Sequence, residues 1–180
     1  MLLDTTSNRA SAFFSKLSSV FVLLCAIITV QNIVETPSAE QIHPANVHYA
    51  KYKPARFYHA FHNKKQNYAQ VKFDLDADFS NLWTWNTKHV VVYLVASYPT
   101  EKHDLNDVVV WDRILSTPDE SHLQVKNALS NLHAHPFNEY SNDFSNLEAN
   151  YTMHWTVSPK LGFLTWGSGI SSLAVPFTKI

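Results

Sequence analysis

VKFDLDADFSNLWTWNTKHVVVYLVASY (Val71–Tyr98) decides the fold class, because its two halves carry different strand signatures joined by a polar turn. In the first half Val71, Phe73, Leu75, Ala77 and Phe79 alternate with Lys72, Asp74, Asp76 and Asp78. Successive side chains of a strand point to opposite faces, so this half reads as a strand with one buried and one wet face. In the second half, His89–Tyr98 is almost continuously β-branched or aromatic. That is the pattern of a central strand covered on both faces.

The same signal continues toward the C-terminus. Val108–Leu115, His122–Leu129, Ala149–Val157 and Ser172–Phe177 read as further strands, with turns at Pro99–Asn106, Pro118–Glu120 and Pro159–Gly162. Pro176 cannot donate to a ladder and assigns the last strand to a sheet edge. Residues 130–148 show no clear period. Six strands about 10–20 residues apart, with no amphipathic helix after residue 35, predict an all-β antiparallel sandwich. The only glycines are Gly162, Gly167 and Gly169, so most turns rely on Asn, Asp, Ser and Pro. Gly167-Ser168-Gly169 reads as a flexible turn.

Ahead of the strands, Leu17–Val34 runs for eighteen residues without a charge. Such a run satisfies its backbone in lipid only as a helix, and at about 1.5 Å per residue it reaches about 27 Å, enough to cross a thin bilayer. It is longer than the apolar region of a cleaved signal peptide and lacks a good small-x-small site, so an uncleaved anchor is favoured. Arg9 and Lys16 precede it, whereas Glu35 and Glu40 follow with no Lys or Arg before Lys51. Basic residues stay on the cytoplasmic side. The expected organisation is a cytoplasmic arm (1–16), a transmembrane signal anchor (17–34), a linker (35–45) and one lumenal or extracellular β-domain (46–180).

Setting aside Asp4, Arg9 and Lys16 leaves twelve basic against fourteen acidic residues, which is not the footprint of a nucleic-acid binder. The single cysteine, Cys25, lies within the apolar run, so the β-domain must be held by its core without disulfides. Asn150-Tyr151-Thr152 is the one glycosylation sequon, and a lumenal location would make Asn150 usable.

Catalytic and metal motifs are weak. His59-x-x-His62 and His133-x-His135 lack the carboxylate or second pair of known zinc sites, and solvated histidines are the better account. Residues 166–170, WGSGI, contain Ser168 but not the G-x-S-x-G of a nucleophile elbow, and Lys160 sits in a turn as an ordinary solvated charge. Asp74, Asp76 and Asp78 alternate as any wet strand face does, which outweighs a calcium reading. No catalytic, cofactor or metal residue is assigned, and no small-molecule substrate is expected. Any of Trp83, Trp85, Trp111, Trp155 or Trp166 left exposed would point to a protein interface.

Trp85-Asn86-Thr87-Lys88, the hydrophobic strand after it, Leu105-Asn106 and Val110-Trp111-Asp112 together resemble the signature of subunit 3 of the eukaryotic signal peptidase complex. Asn150–Trp155 matches that family's sequon and tryptophan strand, and Pro159-Lys160 with Gly162 its following turn. Between about Ser116 and Glu148 the resemblance lapses, and PFNEYSNDFSNLEAN stands where the family has a phenylalanine-rich strand. The resemblance implies a glycosylated, single-span, non-catalytic subunit of the endoplasmic reticulum. Its lumenal domain would stabilise and position the catalytic subunit for signal-peptide removal, with that subunit, the complex's other subunits and membrane lipid as partners. Without the resemblance, the residues leave open a free-standing type II glycoprotein binding an extracellular or lumenal ligand.

Overall fold

A computed structural model describes residues 5–34, 45–55, 66–101, 103–131, 134–138 and 143–180. Its one long helix, α1 (Thr6–Val34), starts well before the apolar run and carries Arg9 and Lys16 on its first turns. The hydroxyls of Ser18, Ser19 and Thr29 donate to the carbonyls of Phe14, Ser15 and Cys25 at 2.8–3.0 Å, which removes unpaired polar groups from an apolar helix.

The β-domain comprises β1 (Asn46–Ala55), β2 (Gln66–Asp78), β3 (Thr87–Tyr98), β4 (Asn106–Leu115), β5 (His122–Leu129), β6 (Glu148–Pro159), β7 (Thr165–Ser168) and β8 (Val175–Lys179). The six expected strands all form, mostly in antiparallel pairs. The sandwich expectation is corrected in one respect: the strands make a single curled sheet, a half-barrel, in the order β4-β3-β6-β8-β1-β2-β5, with β7 beside β6. The splice is β8, which pairs with β6 over only two residues and runs parallel to β1 over three. Four register shifts add the coiling that lets a long sheet close on its own core, one each in the β1–β2, β2–β5, β3–β4 and β3–β6 ladders.

Pro176 therefore lies inside the sheet path and not at its edge. It is tolerated because it precedes the β1 ladder, which begins at Phe177, while the next donor, the Phe177 N–H, reaches the Leu147 carbonyl at 3.1 Å.

The inner face follows the alternation read from sequence. Val71, Phe73, Leu75 and Ala77 of β2 face Val90, Val92, Leu94 and Ala96 of β3 and Tyr151, Met153 and Trp155 of β6, all buried. The outer face of β3 is half-covered, with Val91 and Tyr93 partly exposed. The aperiodic stretch before β6 supplies core as well. Phe137 and Phe144 are fully buried and join Tyr52, Tyr98 and Phe177 in a ring cluster with centroids 5.1–6.3 Å apart. This cluster plugs the end of the half-barrel where β3 finishes.

Candidate functional site

The end of the half-barrel opposite that plug is where the sheet meets α1. The β2–β3 connection delivers Trp85-Asn86-Thr87 here, and the β6–β7 turn delivers Lys160–Leu164. Asn86 is only 3% exposed, yet both polar atoms of its side chain and its carbonyl are used. Its Nδ2 donates to the Leu161 carbonyl (2.8 Å), its Oδ1 accepts from the Leu161 N–H (3.1 Å), and its own carbonyl accepts from the Lys160 N–H (2.6 Å). Thr87, also buried, donates to the Leu82 carbonyl at 2.8 Å and accepts from the Thr84 N–H at 3.0 Å. Buried polar side chains are costly unless paired in this way, so Asn86 and Thr87 act as a clasp fixing two loops to each other.

Lys160 is exposed on its turn, and its charge is also held in place. Its amine donates to the Trp85 carbonyl at 2.8 Å. Outside the clasp Trp85, Leu161, Phe163 and Leu164 are exposed, Phe163 at 70%. Ile28, Gln31 and Asn32 of α1 line a small cleft with Thr84, Trp85 and Asn86. The Asn32 side-chain amide donates to the Phe163 carbonyl at 3.4 Å. Gly162 has φ +114°, a conformation that favours glycine, and a side chain there would meet Thr29 at 3.4–3.5 Å.

From this corner β7 runs back along β6. Gly167-Ser168-Gly169 is thereby corrected from a flexible turn: Gly167 and Ser168 are strand residues, and the Gly169 N–H bonds the Met153 carbonyl at 2.8 Å. Glycine is required at position 167 because a Cβ would lie 2.5 Å from the buried ring of Trp155. Trp166 (73% exposed), Ile170 and Leu173 stay uncovered along this segment. Of the five tryptophans, Trp155 is core, Trp83 and Trp111 pack against its margin, and Trp85 and Trp166 are left exposed.

The remaining candidates do not converge on a reactive centre. Ser168 is exposed opposite His154 in the β6–β7 register, but the His154 ring stacks on Tyr93 at 5.5 Å, and its partial burial lowers its pKa. Tyr151 is buried at the core, where desolvation raises its phenol well above the usual value. The wet face of β2 forms an open groove with His122, Gln124 and Lys126 of β5. Its carboxylates are engaged: Asp74 accepts from the Asn127 N–H and contacts His48 at 2.8 Å, and Asp78 caps the Ser80 N–H at 2.9 Å. Those backbone bonds come first among the causes that lower both pKa values. Among the described residues no three metal-ligating side chains cluster. His59, His62 and His133 lie outside the described residues, and His135 contacts Asp112 at 2.7 Å. Asn150 projects from β6 with its side chain exposed, beside Ser97 of β3 and remote from the clasp.

In the sequence Trp85, Lys160 and Gly162 stand out singly, and Trp85-Asn86 and Lys160 with Gly162 are grouped only through a resemblance. Their mutual contact spans 75 positions, and no local pattern announces it.

Residues 3–179 match a family described as signal peptidase subunit. The chain is similar to a Schizosaccharomyces pombe protein described as signal peptidase complex subunit 3, 63% identical over 180 residues covering 100% of this chain and 97% of that protein. A Yarrowia lipolytica protein of the same description is 33% identical over 175 residues, 92% of each chain. A Homo sapiens protein so described is 33% identical over 107 residues, 59% of this chain and 58% of its own.

Proposed function

We propose, from the premise that this chain belongs to the signal peptidase complex subunit 3 family and so is a non-catalytic accessory subunit whose partners are the complex's other subunits, that its β-domain braces the catalytic subunit on the lumenal side of the endoplasmic-reticulum membrane. The observation that carries the membrane part is α1. It has 29 residues, none of them buried against the rest of the chain, and its eighteen-residue uncharged run has Arg9 and Lys16 before it and Glu35 and Glu40 after it. An apolar helix with no buried residue reads as a single span with its N-terminus in the cytoplasm. On this reading residues 1–16 are cytoplasmic, 17–34 lie in the bilayer, 35–45 link, and 46–180 are lumenal.

Trp166, Ile170 and Leu173 supply the surface for the catalytic subunit. Trp166 lies on β7, which among the described residues pairs only with β6, and Ile170 and Leu173 follow in the segment after it, all three exposed and apolar. Such a strip invites a protein partner, and co-anchoring in one membrane raises the effective concentration so that a modest surface suffices. Asn150 is the glycan acceptor. It lies nine residues before Pro159 on β6, about 30 Å along the strand from the helix corner, which points a glycan away from the membrane.

Two measurements test this. Endoglycosidase treatment should shift the protein on a gel, and Asn150→Gln should abolish the shift; a shift that persists, or none in the parent, contradicts the assignment. Trp166→Glu combined with Leu173→Glu in the full chain should lower recovery of the catalytic subunit without lowering the chain's own level. Unchanged recovery removes the strip from the interface.

A further inference from the structure

We infer that the rim of Trp85, Leu161, Phe163 and Leu164 is seated in the lumenal interface of the lipid bilayer, so that the β-domain sits partly within the headgroup layer instead of being tethered above it. The inference rests on reading α1 as a membrane span, and three observations carry it from there.

The first is depth. The half-covered residues of the last turns of α1 are Cys25, Ile28, Thr29 and Asn32, the three- and four-residue spacing of a single helix face. The loops at this corner therefore touch the helix along its side and not only at its tip. Thr29, which meets Gly162, precedes Val34 by five residues, about 8 Å along the axis, and each interfacial layer of a bilayer is about 5–8 Å thick. With Val34 at the outer limit of the headgroups, Gly162 and its apolar neighbours already stand at the hydrocarbon boundary. With Val34 any deeper, they stand inside it.

The second is polar satisfaction. Irregular backbone is tolerated at membrane depth only when its polar groups are paired within the protein. The Leu161 N–H and carbonyl both bond Asn86, and the Lys160 N–H bonds the Asn86 carbonyl. The Trp85 carbonyl accepts from the Lys160 amine, and the Phe163 carbonyl from Asn32. The corner thus shows apolar side chains outward and keeps these backbone groups occupied. The third is residue chemistry. A tryptophan and a phenylalanine beside a lysine are what an interfacial belt uses, rings at headgroup level and a charge that reaches toward water or phosphate.

The test uses the full chain within the intact complex in lipid nanodiscs. In a Cys25→Ala background, single cysteines replace Phe163, Leu164, Leu105 or Phe21, and each carries an environment-sensitive fluorophore. Leu105 is exposed at the β3–β4 turn, a strand length of about 35 Å from the rim. Quenching by acyl chains spin-labelled near the headgroup should be severalfold stronger at Phe163 and Leu164 than at Leu105, and iodide quenching weaker by a similar factor. Iodide quenching equal to that at Leu105 puts the rim in water and overturns the inference. Protection from both quenchers means that another subunit covers the rim, and overturns it equally. The Phe21 probe separates the premise: if it too escapes lipid quenching, the membrane span itself fails, whereas lipid quenching there with none at the rim sinks this inference alone.

Discussion

Replacing Asn86 with alanine removes two side-chain hydrogen bonds, at 2.8 and 3.1 Å, that tie the β2–β3 connection to the β6–β7 turn. A hydrogen bond of this kind contributes about 1 kcal/mol net, so the loss of both is about 2 kcal/mol. For a domain of this size that lowers Tm by about 6–10 °C. Asn86→Asp separates bonding from volume. It keeps an acceptor for the Leu161 N–H but sets a carboxylate oxygen against the Leu161 carbonyl at a site only 3% exposed. Burial and that carbonyl both disfavour the ionised form and raise the folded-state pKa of the new group above its unfolded value. The cost is then greatest at neutral pH and shrinks as pH falls through the raised pKa, because the protonated acid can donate again. Tryptophan fluorescence of the full chain in detergent, heated at several pH values, reads both effects. If both variants lie within about 0.5 kcal/mol of the parent at neutral pH, or if the aspartate variant shows no relative recovery on acidification, the clasp is not what holds this corner.

Gly167→Ala should lower stability by about 1–3 kcal/mol, since its Cβ would lie 2.5 Å from a ring that is itself fixed in the core; an unchanged thermal midpoint would show that β7 lies farther from Trp155 than described. Phe144→Ala opens the far plug and should cost about 3–5 kcal/mol in denaturant unfolding, against a fraction of that if residues 143–147 merely rest on the surface. Asp78 has a folded-state pKa below its usual value of 3.8 because it caps the Ser80 N–H, so its contribution is present above that value and is lost as pH falls through the lower one. Acid unfolding followed by circular dichroism should be shallower for Asp78→Asn in that range; identical slopes would deny the cap a role. His154 acts in the same direction nearer neutrality: its pKa lies below 6.5 through burial, so protonation costs stability below that pH, and His154→Gln should flatten the profile there.

Most of the fold could be read locally because most strands keep one phase. Val71 to Ala77 alternates without interruption and His89 to Tyr98 is almost continuously apolar, and both were legible. β1 was not, because a bulge between Val47 and Tyr49 flips its buried parity, from Ala45 and Val47 to Ala50 and Tyr52, and erases the period. β4 shows the same device after Val110, which turns Trp111 inward onto Phe73 at 5.9 Å. Phe137 and Phe144 escaped because each enters the core from irregular chain, where burial has no period to follow. β7 was mistaken for a turn because its glycine answers a close approach to Trp155 and not a need for flexibility. A single curled sheet differs from a sandwich only through the two- and three-residue splice at β8, too short to leave a pattern. The corner at Asn86 was legible only as a resemblance, since its chemistry depends on residues brought together by the whole length of β3 and β6.

An apolar helix and a β-domain whose described residues assemble no catalytic centre serve the signal peptidase complex as an accessory subunit. The most direct test of that role is affinity purification of the tagged full chain from detergent-solubilised endoplasmic-reticulum membranes, with mass spectrometry of what accompanies it. The signal peptidase catalytic subunit should be recovered in near-stoichiometric amount. Recovery of the chain alone, from membranes in which the catalytic subunit is present and extracted, would contradict that role.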